Sequence, residues 1–517
     1  MKTVLVCLNS KFSHSSLAIR YLEKYCENFR PETAEYTIND DVYDIWSSLV
    51  RKKGDIYCFS CYIWNIEKTA VVASMIKTAL PGCKIVFGGP EAAGKRDFVD
   101  YRVIGEGEEA LYYLLSCLEQ GKCPPEVIQK ETDISKIPFP YTEDEIKKLK
   151  NKIIYFETSR GCPYSCAYCL SSIDKNLRFF PMDYVKKGLS FFFGNNVPVV
   201  KLVDRTFNCH NARAAEIIKF ITENSKNTCV HMEMAPNLIN DEIISLLSRA
   251  PHLFKLEMGI QSTNPKTLKA INREFDLKKS AENIRRLAQT GIKIHLDLIA
   301  GLPYEDYESI GQSFDFVYSL QPDMLQLGFL KVLNGTPIQS QAGIYSSPYP
   351  PYEVLKTDWL SPQQLCRLKS IAKAVDRFYN SGVFKKSIKA LTKDSPFPVF
   401  EKLAELLQSA EKNGRIPRHK LYNLLYDFGG DKIKFELACD FLLNNQNTPL
   451  PPFILRTEPQ SYKKLLRSFV KINGLSLKTL RIEPIFGKIM MADYSQNKIA
   501  DITQDFINLA KQEGLSF

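Results

Sequence analysis

The sequence has no apolar run of membrane-spanning length and no low-complexity tract. At its start Lys2 precedes an apolar stretch too short for a signal peptide, and no small-residue cleavage site follows. The cytoplasm is the expected compartment, and no membrane partner is expected. In such a compartment the fourteen cysteines are expected as thiols or metal ligands rather than disulfides. Charge is scarce on balance over residues 1–354, which hold 42 Lys+Arg and 42 Asp+Glu. The net charge of +10 therefore sits in residues 355–517, with 26 basic against 16 acidic side chains. A solvated lysine-rich face explains that excess, and an anionic partner, nucleic acid included, is the alternative. No aromatic-and-basic recognition motif accompanies the charge.

At 517 residues, with 44% hydrophobic and 24% charged, the chain is a folded protein too long for one core. Residues 1–120 alternate buried strand patterns (KTVLVCL, AEYTI, DIYCFSCYIW, CKIVFGG, YRVIG) with helical ones. This predicts an α/β fold, a doubly wound parallel sheet whose ligands sit beyond the carboxyl ends of its strands. Residues 121–147 are proline-rich and read as a linker. From 148 to 340 six further strand patterns alternate with helices, enough for a partial β/α barrel. After about 352 the pattern becomes helical, with a small hairpin near LKTLRIEPIFGKIMMADY. Three domains are expected, at 1–135, 148–350 and 355–517.

The sharpest motif is Arg160-Gly-Cys162-Pro-Tyr-Ser-Cys166-Ala-Tyr-Cys169, directly after the first barrel strand KIIYFET. Three thiolates hold three irons of a 4Fe–4S cluster and leave the fourth open to an external chelate. A structural zinc site wants four protein ligands, and no second CxxC or paired histidine lies nearby.

This C-x3-C-x2-C loop, with an aromatic before its last cysteine, resembles the radical SAM superfamily. The resemblance implies one-electron cleavage of S-adenosylmethionine (SAM) to methionine and a 5′-deoxyadenosyl radical. It implies Tyr168 near adenine, Asp204 with Arg205 and Asn208 near the SAM amino end, and Glu257, Gln261 and Ser262 near ribose or carboxylate. Ile299 and Gly301 in DLIAGLP match an adenine-contacting strand. The usual Gly-Gly-Glu run is absent, and each of these positions reads equally as a structural strand end.

The first domain resembles the cobalamin-binding domain that precedes many radical SAM cores. Its loops are Ser60-Cys-Tyr-Ile-Trp64-Asn65, Gly88-Gly89-Pro-Glu91 and Gly105-Glu106-Gly107-Glu108. Glycines let backbone approach a flat macrocycle, and the glutamates could accept hydrogen bonds from its amides. The D-x-H-x-x-G loop that donates a cobalt ligand is absent. His14 is the domain's single histidine, read as a cofactor contact or as a helix-capping residue. The expectation is cobalamin without a histidine lower ligand, with Trp64 or Asn65 beneath it.

The family implies methyl transfer to an unactivated centre of a small molecule or peptide, with a flavodoxin or ferredoxin as electron donor. A cobalamin-assisted rearrangement or cyclisation is the alternative. A methylthiotransferase, whose second cluster would use Cys7, Cys61 and Cys83, is a rival, and a corrinoid or redox sensor belongs to another class. Tyr304, Glu305, Lys331 and Asn334 follow barrel strands and could face substrate or solvent.

Overall fold

A computed structural model describes residues 1–273, 275–412 and 414–517. It divides into two compact units, Met1–Glu305 with Phe329–Leu360, and Asp306–Gly328 with Ser361–Phe517.

The first unit opens with a parallel sheet of six strands: β1 Thr3–Asn9, β2 Glu32–Thr37, β3 Ile56–Ser60, β4 Lys84–Gly88, β5 Tyr101–Val103 and β6 Val127–Ile128. Their order is β2-β1-β3-β4-β5-β6. β1 and β3 are buried along their whole length, as strands covered on both faces must be. The cover is α1 Leu17–Tyr25, α2 Val42–Arg51, α3 Ile66–Ala79 and α4 Glu108–Glu119. One face packs Val4, Val6, Tyr57 and Phe59 with Ile45, Val72 and Ile76. The other packs Leu5, Ile56 and Val86 with Ile19, Leu111 and Leu114. Each of these large side chains contributes about 1.5–3 kcal/mol by leaving water. The winding reverses between β1 and β3, which opens a crevice at their carboxyl ends.

The proline-rich stretch expected as a linker is not structureless. Val127–Ile128 pairs with β5, and Glu143–Lys148 is a helix closed by a Thr142–Glu145 capping box. These pieces are too short for a periodic pattern.

Five more parallel strands follow in pairing order: β7 Ile154–Phe156, β8 Val199–Leu202, β9 Cys229–Glu233, β10 Phe254–Gln261 and β11 Lys293–Ala300. Alternation sorts their side chains. Phe156, Leu202, Met232 and Leu256 are buried, and Phe156 meets Tyr184 and Phe192 of the helix Met182–Gly194. Tyr155, Lys201, His231, Glu257 and His295 point the opposite way and line the inner face of the partial barrel. The unit closes with an antiparallel pair, Ile344–Ser346 and Val354–Thr357, at the point where the sequence reading places the change to helices.

The second unit is mostly helical, with Tyr307–Ser319, Pro362–Ala374, Pro396–Ala410, Arg418–Gly429 and Lys434–Asn444 as its main helices. Its end is more than a hairpin. Three antiparallel strands, Leu480–Ile485, Lys488–Asp493 and Lys498–Asp501, pack with Tyr462–Ile472 and Thr503–Gln512 around Tyr462, Phe469 and Phe506. Among the described residues no helix is long and apolar enough to cross a membrane.

Candidate active site

Beyond β7 the chain forms a short ribbon, Ser159–Arg160 against Arg178–Phe179, and then the cysteine loop. Asp204, at the end of β8, anchors its start. The buried carboxylate accepts hydrogen bonds from Thr158 N at 2.9 Å, Thr158 Oγ1 at 2.5 Å and Ser159 Oγ at 2.6 Å. Gly161 has φ 84°, and a Cβ there would stand 2.3 Å from the Asn176 carbonyl oxygen, so only glycine fits. Further along, Cys162 N donates to Asp174 O at 3.3 Å and Ala167 N to Ile271 O at 2.9 Å. Ile338 N donates to Ala167 O, also at 2.9 Å.

Cys162 and Cys166 are buried, Cys169 is half-buried, and all three are free thiols. The donor set suits a cubane. Among the described residues these sulfurs are not a group converging within 4.8 Å, as ligands of one ion would, whereas a cubane spreads its thiolates over separate irons. Arg273 Nη1 lies 3.6 Å from Cys166 Sγ and 3.4 Å from the Tyr168 hydroxyl oxygen. Thr206 Oγ1 lies 3.7 Å from Cys162 Sγ. Such donors favour an anionic sulfur. Burial leaves the half-buried Tyr168 phenol well above its ordinary range, against the Arg273 guanidinium that lowers it and with Cys166 adding to the rise.

The glutamates of the Gly105–Glu108 loop have protein partners. Arg160, from the cysteine loop, donates to Glu108 Oε1 at 2.6 Å and Oε2 at 3.2 Å, and to Glu157 Oε1 at 2.7 Å. It also lies 3.2 Å from Glu106 Oε1. Arg178 donates to Glu106 Oε1 at 2.5 Å. Burial alone would raise the Glu106 carboxyl; Arg178 and Arg160 overcome it and hold it below its usual range. Glu157 shows the reverse balance, and burial pushes it up to about 7 despite Arg160. The oxygens expected to meet corrinoid amides thus tie the first domain to the cysteine loop.

The other strand-end loops divide. Asn65 is nearly inaccessible and spent: it donates to Leu8 O and Ser60 O, both at 3.0 Å, and accepts from Tyr62 N at 2.8 Å. Trp64 is 44% exposed, lies flat on Tyr62 with ring centroids 4.4 Å apart, and donates Nε1 to Leu8 O at 3.2 Å. That gives an apolar platform at the β1/β3 switch point, which suits the face of a macrocycle. Ser60 ends β3 opposite Gly88. Gly89 has φ 102° and its backbone presses on Cys61 O, where a Cβ would stand 2.8 Å away. Gly105 adjoins open space, and Gly107 begins α4. Glu91 is buried and accepts from the Tyr352 hydroxyl at 2.8 Å. His14 Nδ1 lies 2.6 Å from the Tyr155 hydroxyl oxygen of β7, and burial with Lys11 and Lys201 nearby lowers its pKa. The cap of α1 is Ser16, not His14.

On the inner face Lys201 Nζ lies 2.9 Å from Glu257 Oε2 and 3.3 Å from Glu233 Oε1, and His231 Nε2 lies 3.0 Å from Glu257 Oε2. Burial alone would raise Glu257; His231 and Lys201 reverse it and hold the carboxyl well below its usual range. Gln261 and Ile299 stand half-buried toward the ends of β10 and β11, and Gly301 packs on Val354. Asn208 is spent on Ala235 N at 2.8 Å and Ala235 O at 2.9 Å, whereas Arg205 is exposed. Glu305 is buried and accepts from Ser262 Oγ at 2.5 Å. Tyr304 packs on Trp359 with the rings tilted by 50°, Lys331 is exposed, and Asn334 accepts from Gln339.

The sequence reading missed Arg273, Lys201, His231, His295 and Asp297. The last four were accessible from strand alternation, since Lys201, His231 and His295/Asp297 fall on the Glu257 face; Arg273 lies on a loop with no periodic signal. The second-cluster cysteines do not meet. Cys61 follows the carboxyl end of β3 and Cys83 precedes the amino end of β4; the two strands pair parallel and in register, so the two cysteines lie at opposite ends of the strands. Burial raises Cys7 to about 11 and Cys61 further.

Three family models match in succession: the B12 binding domain over residues 3–115, the radical SAM superfamily over 156–317 and a protein of unknown function (DUF4080) over 341–508. The chain is 28% identical over 298 residues to 2-(S-pantetheinyl)-carbapenam-3-carboxylate methyltransferase of Streptantibioticus cattleyicolor, covering 49% of this chain and 43% of that one. It is 25% identical over 354 residues to the cobalamin-dependent radical SAM methyltransferase TokK of Streptomyces tokunonensis, covering 60% and 52%. The chain thus spans about half the length of these curated relatives. The structure of the methyltransferase TsrM from Kitasatospora setae, with cobalamin and a 4Fe–4S cluster bound, aligns at TM-score 0.57 and 16% identity, over 70% of this chain and 80% of that one. That likeness shows the fold. The family's cofactors are a 4Fe–4S cluster, SAM and cobalamin, and its chemistry needs a reductant and a substrate. The chain belongs to the radical SAM proteins that carry an N-terminal cobalamin-binding domain, in a group that ends in a DUF4080 domain.

Proposed function

We propose that this chain is a cytoplasmic, cobalamin-dependent radical SAM methyltransferase acting on an unactivated centre of a polar small molecule or peptide. One observation carries the reading. The Gly105–Glu108 loop of the cobalamin-type domain and the cysteine loop are ion-paired within one compact unit, through Arg160 and Arg178. When bound, the cluster supplies the electron that cleaves SAM and cobalamin supplies a transferable methyl group. Cys162, Cys166 and Cys169 would hold the cluster, and Arg273 would place N–H donors beside it. Asp204 positions the loop by holding Thr158 and Ser159. Tyr168, Gln261, Ile299 and Gly301 would border SAM. Trp64 would floor the corrin ring, and cobalamin would be held without a histidine ligand, His14 serving the Tyr155 hydroxyl through Nδ1.

The test is anaerobic reconstitution with iron, sulfide and cobalamin, then SAM, a strong reductant and a cell extract as substrate pool. The expected products are 5′-deoxyadenosine and S-adenosylhomocysteine together. 5′-Deoxyadenosine alone would overturn methyl transfer in favour of rearrangement or cyclisation, and the absence of both would reject the enzyme reading. Flavodoxin or ferredoxin is the proposed physiological reductant.

A further inference from the structure

The inner face of the barrel carries a cluster of buried ligand-type side chains apart from the cysteine loop. Glu257 on β10 and His295 and Asp297 on β11 each offer one ligand-type atom, all within 4.8 Å of one another. His295 is 6% exposed, yet its Nε2 has no hydrogen-bond partner. Asp297 Oδ1, 2.9 Å away, is likewise buried and without one, so the two atoms meet without N–H···O alignment. An unsatisfied buried polar atom costs about 1–3 kcal/mol, so two such atoms side by side are costly unless a ligand satisfies them.

We infer that Glu257, His295 and Asp297 form a binding site for one borderline divalent cation, zinc or a first-row neighbour, distinct from the iron–sulfur site. The three atoms offered are acceptors, two carboxylate oxygens and an imidazole nitrogen, and acceptors gathered this closely call for a cation. One imidazole with two carboxylates is a donor set that zinc, manganese and iron(II) accept. Metal–ligand bonds of about 2.0–2.2 Å set ligand atoms at most about 4.4 Å apart, so side-chain adjustment of a few tenths of an ångström completes the geometry. Register builds the trio. Glu257 pairs with His295 and Gly259 with Asp297, so the three side chains rise from two adjacent rungs of one ladder. His231 at 3.0 Å from Glu257 orients the carboxylate, as outer partners of metal ligands do. Lys201 is the competitor: its ammonium is shared between Glu257 and Glu233, and a bound cation would leave it to Glu233. Three protein ligands leave coordination positions open for a substrate oxygen or nitrogen. The site does not depend on methyl transfer.

Zinc itself is the probe. The full chain, loaded anaerobically with its cluster and desalted, is titrated with Zn2+ and read by elemental analysis and zinc X-ray absorption. We expect about one zinc beyond the cluster irons, with only N/O ligands at about 2.0–2.2 Å. His295→Gln and Asp297→Asn, each near-isosteric, should weaken zinc by at least about tenfold while iron content stays at the parent value. Lys201→Met should tighten it. A sulfur shell at about 2.3 Å, no retained zinc, or equal affinity in parent and both ligand variants overturns the site. Because iron content and 5′-deoxyadenosine formation are separate readouts, failure here is distinguishable from failure of the methyltransferase reading.

Discussion

Replacing Arg160 by methionine tests the junction between the two cofactor loops. The guanidinium is 14% exposed, and it serves Glu108 at 6% and Glu157 at 11%. It also stands 5.7 Å from the Tyr21 ring centroid and 5.9 Å from that of Phe180. Methionine keeps the stem packed over those rings and removes only the charge and donors. Taking one partner from a buried ion pair costs about 3–5 kcal/mol, because the other charge remains stranded. Here relief is available, since Glu157 is already raised to about 7 and can take up a proton. The loss should therefore be about 3 kcal/mol at pH 8, where Glu157 is ionised in the parent and must take up a proton or stay charged once Arg160 is gone, and smaller near pH 5.5, where the parent already holds that proton. Amide exchange over residues 104–108 and 157–169 reads it directly, as faster opening of both segments together. An additional Glu157→Gln change should recover part of the loss at pH 8. If R160M exchanges within about 0.5 kcal/mol of the parent at pH 8, the pair couples nothing and the reasoning fails.

Gly161→Ala should abolish cluster assembly, since the new Cβ would meet a backbone oxygen at 2.3 Å; unchanged iron content would contradict it. Arg273→Gln should make the cluster harder to reduce, by roughly 60 mV for each 1.4 kcal/mol of lost stabilisation, and an EPR-monitored titration measures the shift. In the second unit, burial raises Asp440 to about 6 against the Ser387 and Lys386 bonds that lower it. The native state then holds the proton more tightly than the unfolded chain. The stability this adds is full below about 4 and is lost as pH rises through about 6, at most about 3 kcal/mol. Asp440→Asn should flatten the melting curve against pH over that window.

What could be read from the chain followed strength of pattern. β1, β3, β10 and β11 are long apolar or alternating runs, and the helices between them have clear faces, so the α/β architecture was legible. The cysteine loop was legible because its ligands are local, seven residues apart in sequence. Long-range partnerships were not. Nothing in GEGE says that its carboxylates meet arginines 52 and 72 residues on, and isolated glutamates on a glycine loop look the same whether they wait for a ligand or for Arg160 and Arg178. The same holds for Glu91 and Tyr352, 261 residues apart. Asp204 and Asn208 sit at a strand end where ligand contacts are expected, yet their short polar side chains find backbone first. The tract between the first two domains misled in the opposite direction, since its prolines flank a two-residue strand and a six-residue helix.

The ion-paired junction has a consequence for cofactor loading. Arg160 sits two residues before Cys162, so whatever fixes the cysteine loop also fixes the guanidinium that holds Glu106 and Glu108. Glu108 begins α4 and Glu106 lies just before it, and α4 packs on the same core as β1, the strand whose end receives Trp64. Ordering at one end must therefore favour ordering at the other, and coupling between two binding events is reciprocal. Cobalamin should bind the cluster-loaded chain more tightly than the iron-free chain, by about five- to tenfold if the coupling is near 1 kcal/mol. The cluster should in turn survive chelator longer when cobalamin is bound. Both differences should shrink in R160M, which keeps all three cysteines and the Trp64 platform. Equal cobalamin affinity with and without the cluster in the parent would mean that the two loops are neighbours without being coupled.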